Sequence, residues 1–462
     1  MGSDVREWLV NVVARGATGN ADQVAYFFLR AQSLLAPGGT IGLIATNTIA
    51  QGDTRAVGLD QMVANGFSIT RAVQSRSWPV ASANLEYAAV WGTVGPVSGG
   101  VPCISDDQPV KRITPLLEPG GRVEGSPHRL LQSKGVAFVG SFVNCIDEFT
   151  FSSELADKWI RQDPSLGSVV KPYLGGEDVN QDPAIQAPRW ILDFTGLSLE
   201  KVRGWPQVYD YALERVYPAR QKLNNKPRLQ KNWWLFEAPG AEMRMAISDL
   251  EEVLVIALVS RTVMPVRVPT AQVFGHTLGV FATDSYADQG LLSSSPHQIW
   301  AIKYGSGMRN DPRYTPSDVF ETFPLALSTS CLDQIGRALD EERRELMLRR
   351  NLGLTKLYNL VNDPEISDAS DTDIARMRAI HVELDEAVMA AYDWSDIPLD
   401  HGFHTYRQME RWTVSPAARV EILDRLLEEN HRRAAEEAKR APQMKSKGRR
   451  GKRASDDQGT LL

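Results

Sequence analysis

Two short stretches bring together side chains able to handle anions or metals. "KYGSGMRNDPRY", from Lys303 to Tyr314, sets cations beside glycines and a tyrosine. That mixture suits a loop lying close against a phosphate backbone. "DHGFH" places His401 and His404 beside Asp400, a spacing a metal would tolerate. No third ligand is evident, and a capped loop between helices accounts for all three residues, so no metal is expected. Cys103, Cys145 and Cys331 are far apart. They form neither a disulfide framework nor a CxxC zinc site, and they fit a reducing cytoplasm.

The net charge is −6, but "KRAPQMKSKGRRGKR" (Lys439 to Arg453) carries eight Lys/Arg and no acid. A basic tail on an acidic body is compatible with phosphate contacts. A solvated, disordered tail is the more economical reading of charge alone. If the tail does contact the phosphates of a polyanion, deleting Lys439 to Arg453 is expected to flatten the salt dependence of binding and leave sequence preference unchanged. Counterion release counts phosphates and not bases, so an unchanged salt slope removes the tail from the interface.

The elements that would position these groups fall into four stretches. Residues 1–100 alternate helix and strand. "DQVAYFFLRAQSLLA" has helical apolar spacing and stops at Gly38-Gly39. "TIGLIATN" is apolar throughout and predicts a strand in the middle of a parallel sheet. "RAVGLDQMVANGF" predicts a helix, and "SITRAVQSRSWPV" and "LEYAAVWGTV" two further strands. The order βαββ matches the second half of a doubly wound sheet. Residues 101–330 change texture, with short strands such as "PRWILDF" and "LGVFATDS" and two helices, an α+β domain rich in Trp, Tyr and Arg. Residues 331–440 read as nearly all helical, with Ile374, Met377, Ile380, Leu384 and Val388 along one face. Residues 441–462 read as a basic disordered tail. No stretch approaches the roughly 20 apolar residues of a membrane helix.

In the first stretch no GxGxxG-like turn follows a strand, where an adenosyl cofactor would sit at the carboxyl end of the sheet. No Asn-Pro-Pro-aromatic or Asp-Pro-Pro-aromatic tetrapeptide occurs; "NDP" at Asn310 and Asn362 falls in other stretches. No nuclease pattern of the D…ExK kind stands out.

"ADQVAYFFLRAQSLLAPGGTIGLIATNTIAQGDTR", "YLGGEDVN" followed by "RWILDF", "SSSPHQIWAIKYGSGMRNDPRYTPSDVFETFP", and "GLTKLYNLVNDPEISD" followed by "LDEAVMAAYDWSDIPLDHGF" occur in that order. Together they resemble the MmeI-like adenine-specific DNA methyltransferases of restriction–modification and phage-defence systems, over almost the whole chain. The resemblance implies a partial doubly wound methyltransferase sheet, then an α+β target-recognition domain, then an all-α domain. It implies double-stranded DNA as partner and transfer of a methyl group from S-adenosylmethionine to adenine. In that family the cofactor glycines and the catalytic loop lie upstream of the first matching stretch. The missing half of the sheet is therefore expected on an upstream-encoded methyltransferase half, or it was lost in a broken gene. The chain would then act as a split methyltransferase, with no catalytic residue of its own. The alternative is a non-catalytic DNA-binding specificity subunit working with other defence-system subunits.

Residue by residue, the resemblance points to supporting parts. Trp78 falls where such enzymes place an aromatic near a flipped adenine, where its face would stack on the base; a Trp packed at a strand end is the plainer reading. Asn47 ends the apolar strand at the ligand-binding rim, or simply bonds its own loop. Asp22 faces the cofactor by family analogy, or serves a helix N-terminus. For base and phosphate contacts the candidates are Arg261 and Arg267, which flank "VMPV", with His276, His297, Lys303, Arg309 and Arg313. As a set, about half are expected to meet DNA; for any one of them a plain surface charge is the commoner outcome.

Overall fold

The protein is described by a computed structural model covering residues 3–78, 86–97, 102–123, 125–308, 311–406 and 409–447. It divides into two compact units, residues 1–126 with 405–409, and residues 127–404 with 410–462.

In the first unit, helix α1 (Gln23–Ser33) starts where the Asp22 carboxylate accepts from the Val24 N–H. The turn after it uses Gly38 at φ +79°, a conformation open to glycine. The predicted single helix over 55–67 is two pieces, Gly52–Val57 and Leu59–Ala64, broken at Gly58. A Cβ there would lie 3.2 Å from the Ala25 Cβ, so glycine lets the break pack on α1.

Strands β1 (Thr40–Thr46), β2 (Phe67–Ser77), β3 (Glu86–Val94), β4 (Cys103–Ser105) and β5 (Gln108–Val110) form one sheet in the order β1-β3-β2-β4-β5. The first strand is therefore not central. It pairs antiparallel with β3 on one side, and no described strand pairs with its other edge. The hairpin partner β3 lies between β1 and β2, which makes those two parallel to each other without touching. Alternate residues of β1 are exposed, Ile44 by 59%. Apolar composition marked a strand built for burial on both faces, and here one edge and part of its surface lie open. The unit extends to residue 126, past the predicted break at 100, because β4 and β5 continue the same sheet and Ile113 and Leu117 join its core.

The second unit holds two four-stranded sheets. One is β6 (Ala137–Val139), β10 (Glu252–Ala257), β11 (Val266–Pro269) and β13 (Leu278–Phe281), ordered β11-β10-β13-β6 and antiparallel throughout. The other is β7 (Thr150–Phe151), β8 (Val170–Leu174), β9 (Arg189–Leu192) and β12 (Val273–Phe274), ordered β12-β8-β9-β7. Phe149, Trp159, Tyr173, Phe194, Val208 and Trp233 pack beneath the second sheet. Helix α2 (Gly176–Gln181) follows β8 directly, and helices α3 (Pro206–Gln221) and α4 (Pro227–Lys231) follow β9. A short strand pair, β14 (Ser306–Met308) and β15 (Asp311–Arg313), comes after helix α5 (Ser295–Tyr304).

Helices α6 (Ser330–Arg350), α7 (Leu354–Val361), α8 (Thr372–Ala391) and α9 (Pro416–Lys447) follow. They belong to the same compact unit as residues 127–308 and not to a separate helical domain beginning at 331. Close approach explains the difference: a Cβ on Gly336 of α6 would lie 2.0 Å from the Tyr286 carbonyl oxygen, and one on Gly290 would lie 3.1 Å from Leu384 of α8. The last helix also runs six residues past the predicted onset of disorder at 441. No described helix is long and apolar enough to cross a membrane.

Candidate functional site

The second unit carries a cleft of about 840 Å³ built from five pieces of chain. Helix α2 supplies Gly176, Glu177, Asn180 and Gln181. The end of β10 and the residues after it supply Ala257, Leu258 and Val259. The turn between β12 and β13 supplies His276 and Thr277, β15 supplies Arg313, and α7 supplies Thr355 and Lys356.

Each piece is held by a specific contact. The segment Phe274 to Leu278 leaves one sheet and enters the other, which brings His276 and Thr277 to the cleft. The Gly176 N–H donates to the Thr277 hydroxyl at 2.8 Å, tying α2 to that crossing. The Ser260 hydroxyl donates to the Asn180 side-chain oxygen at 3.3 Å. Arg313 bridges Val259, and the next residue's N–H, that of Tyr314, donates to the Leu258 carbonyl at 2.7 Å. Arg313 is thus set on a rigid stretch of backbone while its side chain stays exposed.

Arg313 and Lys356 are the cleft's two permanent cations, and neither side chain has an ion pair or hydrogen bond among the described residues. The Gln181 amide donates to Glu177 at 3.1 Å. The His276 ring lies edge-on to Phe142, centroids 4.7 Å apart, and burial pulls its pKa below the ordinary value. Neutral imidazole, two amides, two hydroxyls, a carboxylate and two unpaired cations form a hydrogen-bonding surface of both polarities. These lining groups are able to hold a polar, anionic partner.

Of the predicted DNA contacts the structure brings His276 and Arg313 together. Two others are core residues. His297 is fully buried, its Nδ1 2.7 Å from the Leu292 carbonyl and its Nε2 3.1 Å from the Tyr314 hydroxyl. It anchors the residue next to Arg313 and does not itself face solvent. Arg267 is 3% exposed, its guanidinium 3.9 Å from the Tyr286 ring centroid and 3.6 Å from Glu252. Its charge is spent inside the fold, so neither residue remains a candidate surface contact. Arg261 is exposed, and its carbonyl accepts from Arg411. Lys303 is half-buried, with Nζ 5.4 Å from the Tyr304 ring. Arg309 lies outside the described residues. Glu177, Asn180, Gln181 and Lys356 were missed, although "YLGGEDVN" and "GLTKLYNLVND" contain three of them.

The proposed supporting residues of the first unit are engaged locally. The Asn47 amide donates to Glu86 at 2.7 Å and to the Ser75 hydroxyl at 3.2 Å. Asp22 caps α1. Trp78 is 39% exposed and edge-on to Tyr87, with centroids 5.4 Å apart. Asp22 and Asn47 thus each make local bonds within the unit. His401 bonds Asp385 at 2.8 Å, and the His404 ring lies 3.2 Å from the Asp400 carbonyl, so the two imidazoles do not converge.

Residues 126–327 match the family of the MmeI target recognition domain. The chain is similar in structure to the type IIL restriction–modification enzyme MmeI, solved in complex with DNA, with 19% identity and a TM-score of 0.63. That likeness covers 94% of this chain and 55% of the other, so the chain spans about half of that protein's length. The type IIG restriction endonuclease BpuSI aligns over 86% of this chain and 53% of its own, with 12% identity and a TM-score of 0.32. No curated protein matches the chain.

Proposed function

We propose that this chain, whose residues 126–327 match the MmeI target recognition domain, recognises DNA sequence as a specificity-determining part of a restriction–modification system. The observation that carries the reading is the cleft, lined by the matched segment and completed by Thr355 and Lys356 beyond it. There Arg313 stands unpaired on rigid backbone beside Asn180, Gln181 and His276. Arginine and amide side chains are the groups that read base edges, and an unpaired lysine suits a phosphate. The partner is double-stranded DNA.

The two cations are separable by experiment. Arg313→Ala is expected to cost about 1–3 kcal/mol of duplex binding and to relax preference at one base position. Lys356→Ala is expected to weaken all duplexes alike and to reduce the salt slope by about 0.9. Selection from a duplex pool of random sequence, followed by salt titration of the selected duplex, checks both. If the unmodified chain selects nothing, the reading fails.

A second reading is favoured by the open edge of β1. On it, the first unit is the carboxyl-terminal end of a methyltransferase sheet, and strands on the same polypeptide or another complete that edge and hold S-adenosylmethionine. Adenine methylation would then be the activity of the completed assembly, with Trp78 near the base. Methyl incorporation into duplex DNA, measured for the chain alone and mixed with a methyltransferase half, tests it. Incorporation by these 462 residues alone would overturn the placement of the donor site elsewhere.

A further inference from the structure

Between Arg215 and Leu235 the chain carries six Lys/Arg and no Asp or Glu, within a protein of net charge −6. None of these residues lines the cleft. The structure sorts the six cations. Arg220 is fully buried and donates to the Val143 and Leu235 carbonyls, so it is part of the core. Lys226 pairs with Glu237 at 2.7 Å. Arg215 lies over the Tyr211 ring and donates to the Asp147 carbonyl at 3.4 Å. Lys222, Arg228 and Lys231 remain exposed. Arg228 donates only to the Glu237 backbone carbonyl, and the two lysines have no side-chain partner among the described residues.

These three cations are held together on a stiff corner. The Gln221 amide donates to the Gln230 carbonyl at 3.0 Å, and the Gln230 amide returns bonds to the carbonyls of Gln221 and Leu223, at 3.2 and 2.9 Å. This reciprocal clamp joins the end of α3 to α4. Lys222 follows one glutamine and Lys231 the other, so both lysines stand on backbone next to the clamp. Arg228 stands three residues before Lys231 on α4, on the same helical face. Between the helices, Asn225 turns the chain at φ +58°, and Asn224 and Asn225 are both exposed.

We propose that this corner is a second, sequence-independent surface for the phosphate backbone of duplex DNA. The inference rests on the reading of the chain as a DNA-recognition protein. Two considerations select nucleic acid over an acidic protein surface. Lysine is depleted at protein–protein interfaces, and two of the three free cations are lysines. Phosphate contacts draw on Lys, Arg and exposed amides together, which is the inventory here. A clamped backbone needs no loop ordering when the cations bind, so the corner orients the duplex while the cleft reads it.

The test compares the full chain with K222A/R228A/K231A on a duplex of mixed sequence, by anisotropy, from about 50 to about 200 mM salt. Each phosphate contact contributes about 0.9 to the salt slope. The unmodified chain is therefore expected to lose about 40-fold more affinity than the variant across that range. K222R/K231R, which keeps charge, is expected to keep the slope. The sequence selected from a random pool should be the same for all three proteins. An unchanged slope in the triple variant overturns the inference and leaves the sequence-reading proposal standing, as does loss of slope in the charge-preserving variant. Loss of slope from a chain that selects no sequence supports the corner and sinks the sequence reading. No duplex binding at all refutes both.

Discussion

Acidification from about pH 6.5 to about pH 4 is expected to remove roughly 3 kcal/mol of stability for each of two buried histidines of the second unit. Burial draws His297 and His381 down to about 4 from the usual 6.5. For His381 the Asp385 charge pulls upward, while Arg343 and His401 push down. Both rings are served in the neutral form: His297 lies between the Leu292 carbonyl and the Tyr314 hydroxyl, and His381 is 2.9 Å from the Tyr358 hydroxyl. Proton counting sets the sign. Between about 4 and 6.5 the unfolded chain holds protons that the folded chain refuses, so stability is full above that window and falls as pH drops through it. Asp178 and Asp288 of the same unit, which burial holds above the ordinary carboxylate range, work in the opposite direction near its lower end.

The measurement is urea unfolding of the second unit at several pH values. Two titrating groups give a slope of up to about 2.7 kcal/mol per pH unit. His297→Gln is expected to lower stability at every pH, because it disturbs a filled core, and to halve that slope. A midpoint independent of pH between about 6 and 4.5 would show that these imidazoles are hydrated. Because His297 holds Tyr314 beside Arg313, DNA binding is expected to weaken in the same window.

That histidine also shows what a sequence can and cannot convey. His276 and His297 are the same residue type in the same stretch, and both suit base contacts. One faces the cleft and the other is sealed in the core, because Ser294 caps α5 and turns His297 inward onto Tyr314. Arg267 and Arg313 divide the same way, one spent on Tyr286 and Glu252 and one free. Side-chain type proposes a contact, but burial decides it, and burial comes from tertiary packing. Local features were more legible. Asp22 as a helix start and β1 as a strand follow from short-range rules, whereas α1 stops at Ser33, ahead of the predicted stop at Gly38-Gly39, and Gly38 serves the turn into β1 instead. The placement of β1 at an edge does not, since apolar period says nothing about which strand inserts beside it. Thr355 and Lys356 are far in sequence from the other cleft residues, and only the approach of α7 to α2 makes them part of the site.

That approach depends on one atom being absent. Gly353 starts α7, and a Cβ on it would lie 2.3 Å from the Gln181 carbonyl oxygen and 2.6 Å from the Gln181 Cα. Both atoms are backbone, so no rotamer change relieves the overlap. Gly353→Ala is therefore expected to cost about 3 kcal/mol and to move α7 away from α2, carrying Lys356 and Thr355 with it. The cause can be isolated. Gly353 has φ −70° and ψ 163°, which alanine adopts without strain, and alanine restricts the unfolded chain more than glycine does. Backbone preference alone would make the substitution neutral or stabilising. Gly167, also outside the positive-φ region and with nothing within 4 Å of an added Cβ, is the control, and Gly167→Ala is expected to leave stability within about 0.5 kcal/mol. Urea unfolding ranks the two variants, and duplex titration of the folded Gly353→Ala protein reads the cleft. Weakened binding with a shallower salt slope is expected if Lys356 has left its place. Full stability in Gly353→Ala would mean that α7 and α2 have room to spare and that the cleft wall is not set by their contact.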